Sequence, residues 1–157
     1  MNEDFPVMYI LARNDIQSMN CGKLAAQTSH ASSALEHKFK DVSYNNELFY
    51  TYNTWKSETN QGFGTVLVLS CDKYQLVDII HKVSNKNNIM SDIVVDPTYP
   101  YIVNKEISSL IPFDYDTKER VYKEDGSVVM FRSETTCAYI FGMKNDIEKH
   151  VSHLELY

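Results

Sequence analysis

The chain has 157 residues, close to one ordinary domain and cramped for two full cores. It is 43% hydrophobic, 12% aromatic and 23% charged, and only 5 Gly and 4 Pro exclude a collagen-like, linker-like or low-complexity chain. The net charge of -6, from 15 Lys and Arg against 21 Asp and Glu, counts against a large nucleic-acid footprint without excluding a local basic patch.

The opening Met-Asn-Glu-Asp-Phe-Pro is acidic and lacks the basic, apolar and small-residue regions of a signal peptide. Apolar runs such as Val66-Leu67-Val68-Leu69 are too short to cross a bilayer. A cytoplasmic protein without a membrane segment is expected. Cys21, Cys71 and Cys137 form an odd, widely spaced set with no CxxC pair, which points to reduced thiols rather than disulfides or a zinc knuckle.

Taken along the chain, Phe5 to Ala12 reads as a buried strand, a short apolar run ending at Arg13-Asn14-Asp15. A loop through Ser18, Met19 and Asn20 leads to a helix over about Gly22 to Phe39, with Leu24, Ala31, Leu35 and Phe39 at helical spacing. Ala25, Ala26, Ser29 and Ser33 are small enough for that helix to sit close to a sheet. A second short helix is expected over Asn46 to Trp55, with Leu48, Tyr52 and Trp55 on one face. Gly62-Phe63-Gly64 marks a turn before a strand at Thr65 to Ser70. Asp72 suits the N-cap of a helix over Lys73 to Ser84 with Leu76, Ile79, Ile80 and Val83 inward.

A third strand, Ile89 to Val95, is expected to give way to a rigid loop at Asp96-Pro97-Thr98-Tyr99-Pro100, where two prolines oppose a continuing ladder. Glu119 to Ser133 suggests a hairpin turning at Glu124-Asp125-Gly126, followed by a buried strand at Thr136 to Phe141 and a helix from Asn145. The expectation is a single α/β domain over residues 1–157. It would have a mixed sheet of about four strands, helices on both faces and an inserted hairpin at about 113–135.

Chemistry concentrates in Gly22-Lys23-Leu24-Ala25-Ala26-Gln27-Thr28-Ser29-His30-Ala31. Lys23, Gln27 and His30 stand at i, i+4 and i+7 and share a polar stripe, roughly 100° round the helix from Leu24, Ala31 and Leu35. Lys23 falls in the first turn, where backbone N–H groups and the dipole already favour an anion. A cation there calls for an external negative partner such as a phosphate or a developing oxyanion. The competing reading is a solvated polar face.

The segment GKLAAQTSHA resembles the signature of the archaeal/eukaryotic-type (type II) peptidyl-tRNA hydrolases, in which a strand ending in Arg-x-Asp-aliphatic leads through a Met-containing loop to Gly-Lys-x-Ala-Ala-Gln-x-x-His-Ala. Here the strand end is Arg13-Asn14-Asp15-Ile16 and the loop holds Met19. Trp55 before the second strand, the strand–helix–strand block and the tail VSHLELY continue the resemblance over most of the chain, leaving roughly Phe113 to Thr135 as additional sequence. The resemblance implies a homodimeric α/β hydrolase that cleaves the ester joining a peptide to tRNA, with no cofactor, no metal and no membrane. It implies Lys23 as the catalytic cation and Asp96 as the group that orients or deprotonates water. Arg13, Gly22, Gln27 and His30 are expected to contact or position substrate; a core-facing His30 held by hydrogen bonds is the alternative.

The sequence departs from that family after the aspartate, where Pro100 stands at the place of a functional threonine. Thr98 is expected to supply the hydroxyl instead, and Tyr99 or Tyr101 to stack on the terminal adenine. The loop before Gly22 is one residue longer than usual and lacks an additional lysine. These departures and the acidic charge motivate the alternative of a catalytically weakened member of the fold that binds RNA, a nucleotide or a protein. Gly62-x-Gly64 precedes a strand rather than following one, so it lacks the dinucleotide-binding context.

Overall fold

The structure, a computed structural model, describes residues 4–43, 46–110 and 120–157. In chain order it comprises β1 (Pro6–Arg13), α1 (Cys21–Phe39), α2 (Glu47–Lys56), β2 (Val66–Cys71), α3 (Lys73–Val83) and β3 (Ile89–Asn104). There follow α4 (Lys105–Leu110), β4 (Arg120–Tyr122), β5 (Ser127–Met143), α5 (Lys144–Val151) and β6 (Glu155–Leu156). The strands form one mixed sheet in the order β3-β5-β1-β2-β6, with β4 on β5. β1 runs parallel to β2 (Met8 opposite Val66, Arg13 opposite Cys71) and antiparallel to β5 (Pro6 opposite Met143, Ala12 opposite Cys137). The fold is α/β as expected.

The chain divides into two compact units, Met1–Val94 with Thr136–Tyr157, and Val95–Thr135. In the first, every residue of β1 is buried, as a central strand covered on both faces requires. Its alternating side chains feed two cores. Val7, Tyr9 and Leu11 join Leu76, Ile79, Ile80 and Val83 of α3 and Ile147 and Val151 of α5. Met8 and Ile10 join Ala31, Leu35 and Phe39 of α1 and Leu48 and Trp55 of α2. Each such aliphatic side chain contributes about 1.5–3 kcal/mol when fully buried.

The helix ends follow from local sequence. Asn46 caps α2 by accepting from the Leu48 N–H at 2.9 Å. Asp72 accepts from Gln75 N at 2.8 Å while Gln75 Oε1 accepts from Asp72 N at 3.0 Å, a reciprocal capping box on α3. Leu48 and Trp55 are buried on one face of α2. Tyr52 stacks on Phe39 at 4.0 Å, and Phe141 meets Phe39 edge-on at 5.5 Å.

Several expectations are corrected. The prolines do not end β3 at Val95; the strand continues through Asp96 to Asn104. It lies at the sheet edge, where a missing N–H is tolerated, and the Asp96 carboxylate takes the Thr98 N–H at 2.9 Å. The expected hairpin arm and the strand at Thr136 to Phe141 are one continuous β5, and the tail supplies an additional strand, β6. On α1 the buried seam is Gln27, Ala31, Leu35 and Phe39. Leu24 is half-buried, and Ala25, Ala26, Ser29 and Ser33 face outward instead of lining the sheet contact.

Within the second unit, β4 pairs with β5 from Arg120–Met130 to Tyr122–Val128. The turn falls at the expected Glu124-Asp125-Gly126, with Gly126 at φ +80° and Lys123 N donating to Ser127 O at 2.9 Å. α4, absent from the sequence reading, precedes it, and Arg120 Nη1 donates to Ser108 O at 2.7 Å. The start of the expected insertion, 113–119, lies outside the described residues.

Gly64 is required by close approach: a Cβ there would lie 2.4 Å from Trp55 O and 2.5 Å from Trp55 Cδ1, while Trp55 Nε1 donates to Thr65 O at 2.9 Å. Gly64→Ala is expected to destabilise the protein by about 1–3 kcal/mol through overpacking. Urea denaturation checks this; an unchanged midpoint would show that the turn yields freely.

Candidate active site

Five of the sequence-identified residues, Arg13, Gly22, Lys23, Gln27 and His30, belong to the first unit. Asp96, Thr98 and Tyr99 belong to the second.

In the first unit the site begins at the end of β1. Arg13 is only 7% exposed, and its Nε and Nη2 bind the two Asp15 carboxylate oxygens at 2.7 and 3.0 Å. Asp15 Oδ2 also accepts from Lys73 N, at the head of α3, at 3.3 Å. Asn14 N donates to Cys71 O at 2.9 Å, and its side chain donates to Ser70 Oγ at 2.8 Å. The Arg-x-Asp segment therefore ties the end of β1 to β2 and α3 and sets the path of the following loop. Burial works to raise the Asp15 pKa, but hydrogen bonds from Arg13 and the Lys73 amide, with the Arg13 charge, outweigh it and hold the carboxyl below its ordinary value.

That loop delivers α1. Met19 N donates to Ile16 O at 2.9 Å, and Asn20 caps the helix by accepting from Lys23 N at 3.0 Å. Lys23 is half-buried in the first turn, and desolvation pushes its ammonium below the ordinary lysine pKa. Gly22 is exposed, and a Cβ on it would meet nothing nearer than Asn20 Oδ1 at 3.5 Å. Packing does not demand a glycine there.

The polar stripe divides. His30 is exposed, which removes the core-facing alternative, whereas Gln27 is 3% exposed. Gln27 Oε1 accepts from the Thr136 hydroxyl at 2.6 Å, and its backbone carbonyl faces Cys137 Sγ at 3.4 Å. This polar anchor was not visible in the sequence, because the partners of Gln27 lie 109 and 110 residues further along the chain. Burial pushes the Cys71 and Cys137 thiols up to about 12, while Cys21 is exposed in the first turn of α1.

In the second unit Asp96 is half-buried and Thr98 exposed. Tyr99 has 0% exposure, its ring meeting Tyr101 edge-on at 5.3 Å. With no open ring face, Tyr99 cannot stack on an adenine, and that expectation is withdrawn. Sequence reading also missed the group around Tyr101: its hydroxyl donates to Glu134, and Arg132 lies over its ring at 3.9 Å and contacts Glu134 at 3.2 Å. Burial first, then Glu134, pushes the Tyr101 hydroxyl up to about 12. Among the described residues no group of three His, Cys, Asp or Glu side chains could hold a metal ion, and no helix is long and apolar enough to cross a membrane.

A protein-family model described as peptidyl-tRNA hydrolase PTH2 matches residues 6–110, from β1 through α4. No curated protein matches the chain.

The Asp15 pair makes stability depend on pH. A carboxyl held low in the folded state contributes stability above the ordinary aspartate range near pH 4, lost as pH falls through the lower folded value. Asp15→Asn should lower Tm at pH 7, with the gap to wild type closing as the medium is acidified below about pH 4. A gap constant from neutral to acidic pH would show that the charge is not what Asp15 contributes.

Proposed function

Since the chain belongs to the PTH2 family of peptidyl-tRNA hydrolases, we propose that it hydrolyses the ester between tRNA and a peptide or N-blocked aminoacyl group, releasing free tRNA. It acts in this reading as a cytoplasmic homodimer without metal or cofactor. The observation that carries the proposal is Lys23: a half-buried, partly desolvated cation in the first turn of α1, beside a glycine that packing does not require.

The chemistry needs a positioned water and a donor for the oxyanion. Lys23 and Asp96 are assigned these two roles because they stand at the positions of the family's functional lysine and aspartate. Asp96 takes a proton from water as its oxygen attacks the carbonyl carbon, and Lys23 stabilises the oxyanion or grips the terminal phosphate. Collapse of the tetrahedral intermediate breaks the bond to the ribose oxygen, which takes up the proton and leaves as free tRNA. Thr98, exposed and two residues from Asp96, supplies the hydroxyl that Pro100 cannot. Gly22 keeps the approach open, His30 contacts the RNA from its exposed position, and Arg13 acts through the loop that it anchors.

The second reading, a binding module on the same fold, is favoured by Pro100 and by the net charge of -6. Purified protein with N-blocked aminoacyl-tRNA separates the two: robust turnover excludes the module, and tRNA binding without turnover supports it. Lys23→Ala and Asp96→Asn are each expected to lower turnover by about 10³-fold with the circular dichroism spectrum unchanged. Wild-type turnover in both variants would remove these residues from the site.

Gly22→Ala discriminates further. Replacing this first-turn glycine should stabilise α1 by up to about 0.5 kcal/mol, less than in a helix interior, yet it should lower kcat/KM if substrate passes close to that backbone. A variant both more stable and fully active would mean that nothing approaches the first turn there.

A further inference from the structure

The buried seam of α1 is Gln27, Ala31, Leu35 and Phe39. Three of these are apolar, and apolar contacts are non-directional, so they tolerate small rotations and slides of a helix. The fourth, nearest the N-terminus, is polar. Thr136 on β5 is fully buried and its hydroxyl holds Gln27 Oε1 at 2.6 Å, while the next residue, Cys137, faces the Gln27 carbonyl at 3.4 Å. Lys23 lies one turn before Gln27 on the same face. N-terminal to Gln27 no residue of the helix is fully buried, and the Asn20 cap holds the Lys23 backbone N–H at 3.0 Å from the loop rather than from the sheet. Gln27 is thus the first fully buried residue of α1, and a side-chain hydrogen bond ties it to β5.

We propose that Thr136 is a positioning residue for Lys23: by holding the Gln27 amide it fixes the rotation of the first turns of α1 and thereby the placement of the ammonium. The inference deepens the hydrolase reading and rests on it for its catalytic consequence. A buried hydrogen bond is well suited to this work, because it weakens steeply as its geometry departs from linear and breaking it carries a desolvation cost that apolar contacts lack. The apolar remainder of the seam supplies adhesion without orientation.

The test uses Thr136→Val, which keeps the shape and removes the hydroxyl, and Thr136→Ser, which keeps the hydroxyl. Steady-state hydrolysis of N-blocked aminoacyl-tRNA should show kcat reduced about tenfold in Thr136→Val with KM within about twofold, and largely restored in Thr136→Ser. A second readout needs no substrate: the NMR signal of reductively ¹³C-methylated Lys23, assigned with Lys23→Arg, should shift towards those of exposed lysines in Thr136→Val and hold its wild-type position in Thr136→Ser. Gln27→Met, which removes the acceptor from the other side, should move the Lys23 signal in the same way and serves if Thr136→Val does not fold. The proposal is overturned if the hydroxyl-free variants leave the Lys23 signal in place, or if Thr136→Ser is as impaired as Thr136→Val. Absence of hydrolysis by the wild-type protein would sink the hydrolase reading alone, and the Lys23 signal would then decide the positioning role by itself.

Discussion

β1 has no solvent face. With all eight residues buried, it can offer chemistry only at its end, and there the chain turns polar at once with Arg13, Asn14 and Asp15. The burial of the strand and the ion pair that closes it form one constraint. Val7 to Leu11 hold the two cores together, and the bidentate Arg13–Asp15 pair, extended to the Lys73 amide, stops β1 at a defined point. The loop to Asn20 and the cap on α1 start from that stop.

Much of this was legible from short-range sequence. A strand buried on both faces writes itself as an unbroken apolar run, and Phe5 to Ala12 is one. The Asp72 cap, the inward set Leu76, Ile79, Ile80 and Val83, and the Gly126 turn each depend on residues a few positions apart, so local pattern sufficed. The α2 face carrying Leu48 and Trp55 was legible for the same reason. The family resemblance was carried by one ten-residue segment and its surrounding order of elements.

The rest depended on partners distant in sequence. Helical spacing groups Gln27 with Lys23 and His30 as one polar stripe, but it cannot say that a threonine 109 residues later turns Gln27 inward while His30 stays exposed. Tyr99 read as a loop aromatic, and its complete burial follows from β3 continuing past two prolines at a sheet edge that does not need their N–H groups. The small residues of α1 suited a tight helix–sheet contact by size, yet the seam runs through Gln27, Ala31, Leu35 and Phe39, leaving them on the opposite side. In each case the residue types were read correctly, and their direction was decided by contacts across the fold.

The distribution of thiols has a practical consequence. Cys71 and Cys137 are buried and stay protonated far above neutral pH, so an alkylating reagent meets only Cys21 on the folded molecule. That cysteine lies two positions before Lys23 on an outward-facing turn. The wild-type chain thus carries its own attachment point for a fluorophore or spin label in the first turn of α1, and the cores need not be disturbed to place a reporter there.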